Sequence, residues 1–206
     1  MNSRLRAVRW VVLGEVAFLL FMGVSVALHP GYVLARHEGG ISEYGVHLKT
    51  AVLYTLAWAV LAGGNLRAAS ACGGRGPRSE KVRKLLWTYS AVILLVLIST
   101  YFYSLDAVLK YIHYGFGAVL VVFMSASAYW LYRQLADVPW ARAILWVQMV
   151  GSAAALLSIV GVLHVLFGAE SISNVGCAIL LARTCSGALD EGVGAFADVV
   201  FQGSGT

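Results

Sequence analysis

Apolar runs of about eighteen or more residues recur along this chain, each long enough to cross a hydrocarbon core about 30 Å thick. No other feature restricts the fold so strongly. A backbone in lipid must satisfy its own hydrogen bonds, which leaves helices or a closed barrel. The period-2 alternation of a membrane β-barrel is absent. Charged residues make up 12% of the chain, against about 25% in soluble domains. The sequence therefore describes an all-α integral membrane protein.

Five spans are expected: Val8–Leu28, His47–Leu66, Leu85–Ser104, Tyr111–Tyr132 and Ala143–Gly168. The opening MNSRLRAVR resembles a signal-peptide n-region. The apolar run after it ends VSVALHPG, without a small-x-small cleavage pattern, so it reads as a retained anchor. With the N-terminus inside, that side holds Arg4, Arg6, Arg9, Arg67, Arg75, Arg78, Lys81, Arg83, Lys84, Arg133 and Arg142. The outer side keeps Arg36, Lys49, Lys110 and Arg183. Eleven against four is a positive-inside bias and predicts N-in, C-out, in a bacterial cytoplasmic membrane. A net charge of +5 would suggest nucleic acid in a soluble protein; here its distribution points to membrane lipids as the partner, and no nucleic acid is expected. Residues 1–168 would form the bundle and 169–206 an outer tail. In that tail Val175–Ala182 is a short sixth apolar segment, too short to span alone.

The stretch HPGYVLARHEGGISEYGVH, His29 to His47, is unusually polar for its place between two apolar runs. On this topology His29, His37, His47, His113 and His164 all fall at or near the outer face, with acids and phenols around them. The expected outer pocket comprises His29, His37, Glu38, Ser42, Glu43, His47, Asp106, His113 and His164. The plain alternative is a solvated rim, since tyrosine and histidine suit membrane interfaces, and Asp106, Lys110 and His113 form an ordinary i, i+4, i+7 helix face.

Three chemistries compete with simple binding of a lipid or other amphiphile. Imidazoles ligate metals, and zinc needs three or four N, O or S ligands, which His29, His47, His113 and His164 would supply on converging. His47 and His113 are also the candidate axial ligands of a b-type haem. A metal-dependent lipid hydrolase would use Glu43 or Asp106 as general base. No two histidines form an H-x-x-x-H pair, so the spacing favours none of these. A structural or accessory membrane subunit would need none of them.

A second polar layer lies deeper. Glu15 and Gln148 each follow an inner-side arginine by six residues, which places both inside the membrane at similar depth. A Glu15–Gln148 hydrogen bond would fix two helices together. Gly151 and Ala155, then Ala154 and Ser158, with Gly161 nearby, form small-xxx-small pairs. They suit close helix packing, or a homo-oligomer through Gly151, Ala155 and Ser158. Cys72 would lie inside, Cys177 and Cys185 outside.

The segments HPGY and GGISEYG, together with YIHYGFGAVLVVFMSASAYW, resemble a bacterial family of polytopic membrane proteins related to DRAM/FRAG-type proteins. The resemblance covers residues 8–168 and marks His29, Pro30, Ser42, Glu43, Gly45 and His113 as motif positions. It implies a helical membrane architecture of about six spans, rather than a particular reaction.

Overall fold

A computed structural model describes residues 3–31, 40–72 and 77–187. Helix α1 (Ser3–Leu28) is followed by a 3-10 turn (Gly40–Ser42) and the short α2 (Glu43–Val46). Then come α3 (Leu48–Ala71), α4 (Pro77–Thr100), α5 (Ala107–Arg133), α6 (Ala141–Ile159) and α7 (Leu166–Gly187). No strand occurs among the described residues.

Four helices are long and apolar enough to cross a membrane: α1 over Leu5–Leu28, α4, α5 and α6. Their outward faces carry exposed Leu20, Val119, Trp146 and Val150 among many others, a surface suited to lipid rather than water. The protein is an integral membrane protein by this measure. The remaining long helices, α3 and α7, hold no stretch apolar enough to count with these four. Their polar side chains turn inward: Thr50 and Asn65 on α3, Ser173, Asn174 and Thr184 on α7, all buried.

The helices alternate in direction. One buried cluster joins Ala7 of α1, Ala68 and Cys72 at the end of α3, Val82 of α4, Leu131 of α5, Leu145 of α6 and Cys185 of α7. The start of α1 and the end of α7 therefore share one end of the bundle. Arg78 at the start of α4 donates to the carbonyl of Gln134, the C-cap of α5, at 2.9 Å, which ties the connections of that end together. At the opposite end, Ile41 and Tyr44 pack with Phe18, Tyr54 and Ile93.

The fifth expected span does not run to Gly168. Helix α6 stops at Ile159 in a left-handed glycine, Gly161, at φ 79°. Val162 N–H bonds to the Leu157 carbonyl at 2.9 Å and Gly161 N–H to that of Ser158 at 3.1 Å, a Schellman closure. The chain reverses, and Leu166 opens α7, which packs along α6 and also touches α1 and α5. The short sixth segment is the middle of a 22-residue helix.

Two close approaches set the packing. At the α1–α3 crossing, a Cβ built on Gly64 would lie 2.8 Å from the Trp10 carbonyl oxygen and 3.0 Å from Gly14 Cα. At the α6–α7 crossing, a Cβ on Gly151 would lie 3.0 Å from Ser173 N. Gly151, Ala155 and Ser158 are buried within the single chain, so the small-residue stripe seats α7 instead of offering an open face.

Candidate functional site

The 3-10 turn and α2 lie across the end of the bundle opposite the arginines, fixed by polar contacts to α3, α5 and α7 and to the chain just past α1 and α4. Gly40 adopts φ 55°, a conformation a side chain resists, and a Cβ there would sit 2.6 Å from Glu170 Oε2. This lets Ile41 N–H donate to Glu170 Oε2 at 3.0 Å. Ser42 Oγ hydrogen-bonds His113 Nε2 at 3.0 Å, and His113 Nδ1 bonds Ser99 Oγ at 2.8 Å. Tyr103 stacks on the His113 ring at 4.9 Å and donates its hydroxyl to Glu43 Oε1 at 3.1 Å. Burial, with the Glu43 carboxylate beside it, holds the Tyr103 phenol well above its usual range, so it remains a donor. Glu43 Oε2 lies 3.6 Å from His47 Nε2. Tyr44 donates to the carbonyl of His29 at 3.1 Å, and Thr50 to the carbonyl of Tyr44 at 2.8 Å.

The structure thus brings Ser42, Glu43, His47 and His113 together, joined by Ser99, Tyr103 and Glu170. The other expected residues separate from them. Asp106 is exposed and caps α5, accepting from Val108 N–H at 2.6 Å. His164 is exposed in the turn between α6 and α7. His29 contributes its backbone carbonyl to Tyr44, while His37 and Glu38 lie outside the described residues. Among the described residues no group of three or more His, Cys, Asp or Glu is close enough to hold a metal ion. The zinc set His29, His47, His113 and His164 is not assembled, because His113 is enclosed by two hydroxyls and a phenol ring while His164 faces outward. Both ring nitrogens of His113 are engaged by Ser42 and Ser99, so neither is turned toward a haem iron in this arrangement.

Two spaces adjoin this network. A narrow cavity of about 40 Å³ beneath the turn is lined by Ser42, Trp58, His113, Glu170, Ser173 and Asn174. It has room for a few waters, but not for a porphyrin, since small-molecule sites span roughly 300–1,000 Å³. Beside it a groove of about 680 Å³ runs between α5 and the α6–α7 turn. Lys110, Tyr111, Ser158 and His164 supply its polar groups, and Ile159, Val160, Leu163 and Leu166 its apolar wall. Tyr114, Ile159 and Leu166 line both spaces. Lys110 Nζ lies 5.5 Å from the centre of the Tyr114 ring.

The deeper polar layer is present with different partners. Glu15 accepts from Asn174 Nδ2 at 2.7 Å, and Tyr89 donates to Asn174 Oδ1 at 2.5 Å. Gln148 Nε2 instead donates to Ser152 at 2.9 Å and Ser173 at 3.2 Å, replacing the expected Glu15–Gln148 bond. Sequence reasoning missed Asn174, which lies in the segment taken for a tail. The signal was there: Glu170, Ser173, Asn174 and Cys177 recur at i, i+3, i+4, i+7, one face of a helix. No protein-family model, curated protein or solved structure matches this chain.

Proposed function

We propose that the protein binds an anionic amphiphile, such as an acidic phospholipid, in the groove between α5 and the α6–α7 turn. The observation that carries this reading is the pairing of Lys110 and His164 with an apolar wall in one groove. The Lys110 ammonium and the His164 ring, as a hydrogen-bond donor, suit a phosphate or carboxylate head, and Ile159, Val160, Leu163 and Leu166 suit a chain emerging toward lipid. Glu43, Tyr103 and His113 would hold the overlying turn in place, supporting the groove's inner wall.

The orientation follows from charge. Among the described residues, Arg4, Arg6, Arg9, Arg67, Arg78, Lys81, Arg83, Lys84, Arg133, Arg142 and Arg183 belong to the helix ends on the cluster side, and Lys49 and Lys110 to the other. Eleven against two supports a groove at the outer face under the positive-inside rule. All six long helices would cross the membrane, with the start of α1 and the end of α7 both inside. This reading accords with the resemblance to DRAM/FRAG-type proteins.

The test is lipid titration in mild detergent, followed by native mass spectrometry, with phosphatidylglycerol and phosphatidylcholine as probes. Preferential phosphatidylglycerol binding, weakened about tenfold in Lys110→Gln/His164→Gln, is expected, corresponding to about 1.4 kcal/mol. Equal binding of the two lipids, or no response to the double substitution, overturns the reading.

A further inference from the structure

The small cavity beneath the 3-10 turn has polar groups that the protein itself does not satisfy. Its lining is part apolar, with Phe18, Val96, Leu120 and Met124, and part polar, with Ser42, His113, Glu170, Ser173 and Asn174. Four of those polar side chains already have protein partners. Ser42 and His113 bond each other, Ser173 bonds Ser152 and Gln148, and Asn174 bonds Glu15 and Tyr89. Trp58 is the exception on the donor side. It lines the same cavity at 6% exposure, with its ring held edge-on by Phe18 and Tyr54. Its indole Nε1–H is buried and has no hydrogen-bond partner among the described residues. An unpaired buried N–H costs free energy that a bound water recovers. Glu170 is the matching acceptor. Its Oε2 takes the Ile41 N–H at 3.0 Å, and among the described residues no lysine or arginine lines the cavity to neutralise the carboxyl. At about 40 Å³, with roughly 15 Å³ needed for each, the space holds about two or three waters.

We propose that this cavity is a hydrated proton-exchange site, in which waters accept from the Trp58 indole, donate to Glu170 Oε1 and connect that carboxyl with the aqueous phase at this end of the bundle. Tyr114, Ile159 and Leu166 line both the cavity and the open groove, so a single layer of side chains divides the two. A proton from solution joins the nearest water, each water passes one on to the next, and the Glu170 carboxylate becomes the acid. The reverse sequence returns the proton to the same solution, and nothing else is consumed. The titratable groups facing Glu170 across the cavity are His113 and Tyr114 of α5; α1, α3, α4, α6 and the 3-10 turn present none there among the described residues. Behind the turn Tyr54 is buried with Ile41, and Glu15 lies beyond Asn174. The exchange needs no lipid in the groove.

The experiment uses the full chain in mild detergent, with its tryptophan indoles labelled with nitrogen-15, and reads magnetisation transfer from water by NMR. Of six indole N–H signals, that of Trp58 is the one lost in Trp58→Phe. Should that variant not fold by circular dichroism, replacing the other tryptophans one at a time identifies the signal by elimination. The Trp58 indole should show direct transfer from water. Infrared spectra then follow the carboxylic-acid C=O stretch of Glu170, identified by its loss in Glu170→Gln and its displacement in Glu170→Asp. The band should grow on acidification and shift when heavy water replaces water. It should shift again in folded Trp58→Phe, which keeps an aromatic ring but lacks the N–H. A Trp58 indole without transfer from water, a Glu170 band indifferent to heavy water, or no such band down to the pH of unfolding overturns the proposal. So does a band unmoved in Trp58→Phe, because the two groups then share no water.

Discussion

Replacing Asn174 by Leu would break the polar bridge that ties three helices together. Asn174 on α7 donates to Glu15 on α1 at 2.7 Å and accepts from Tyr89 on α4 at 2.5 Å, and all three residues are buried. Leucine is close in volume, so the cost comes from two orphaned partners. In a water-referenced unfolding each orphan costs about 1–3 kcal/mol. Hydrogen bonds between membrane helices are worth less, about 0.6 and up to about 1.7 kcal/mol, because separated helices find other partners within the bilayer. Two such bonds together give about 1–3 kcal/mol, and we expect about 2, a roughly thirtyfold drop in the folding constant. The assay is reversible unfolding by sodium dodecyl sulfate in mixed micelles, followed by tryptophan fluorescence and circular dichroism. The triple variant Glu15→Met/Tyr89→Phe/Asn174→Leu removes every polar partner and should recover most of the loss, since replacing both sides of a bond is nearly neutral. If Asn174→Leu unfolds where the wild type does, or the triple variant is no better than the single one, the bridge does not hold the helices.

Two further outcomes follow from the packing and from Tyr103. Gly64→Ala should destabilise by about 1–3 kcal/mol, because its methyl meets backbone on α1 that cannot rotate away. Gly63→Ala, whose Cβ meets nothing within 4 Å, should be neutral or stabilising by up to about 1 kcal/mol. The same unfolding assay separates the two, and equal effects would refute the close crossing. Because the folded Tyr103 phenol is held above its unfolded value of about 10, the unfolded chain releases that proton first, and stability falls as pH rises past about 10. At about pH 11 the wild type should have lost about 1.4 kcal/mol more than Tyr103→Phe, relative to their difference at neutral pH. Parallel stability–pH curves would show that Tyr103 does not contribute this term.

The helical membrane class and the meeting of Ser42, Glu43, His47 and His113 were legible because both rest on long signals: apolar runs, and polar residues gathered at span ends. The sixth long helix was not. Its polar residues lower its hydropathy, and the Gly161 stop was absorbed into an apolar run, VGVLHVLFG, that carries no other break. The expected partnership of Glu15 and Gln148 rested on equal depth alone. Depth does not fix which faces meet, and Asn174 was not yet in the bundle to compete.

These misses have one physical source. A helix in the centre of a bundle shows little of itself to lipid, so its polar groups are satisfied by neighbours rather than excluded. Helix α3 places Thr50 against the Tyr44 carbonyl, and α7 places Ser173 against Ser152 and Asn174 against Glu15. Hydropathy measures cost against lipid, and for such helices the relevant comparison is with another helix. The polarity that hid α7 from an apolarity count also fixes its place, because each buried polar group restricts it to one facing partner. Admitting α7 as a full-length helix moves Arg183 to the end that holds Arg6 and Arg67, strengthening the same charge asymmetry that oriented the chain at the outset.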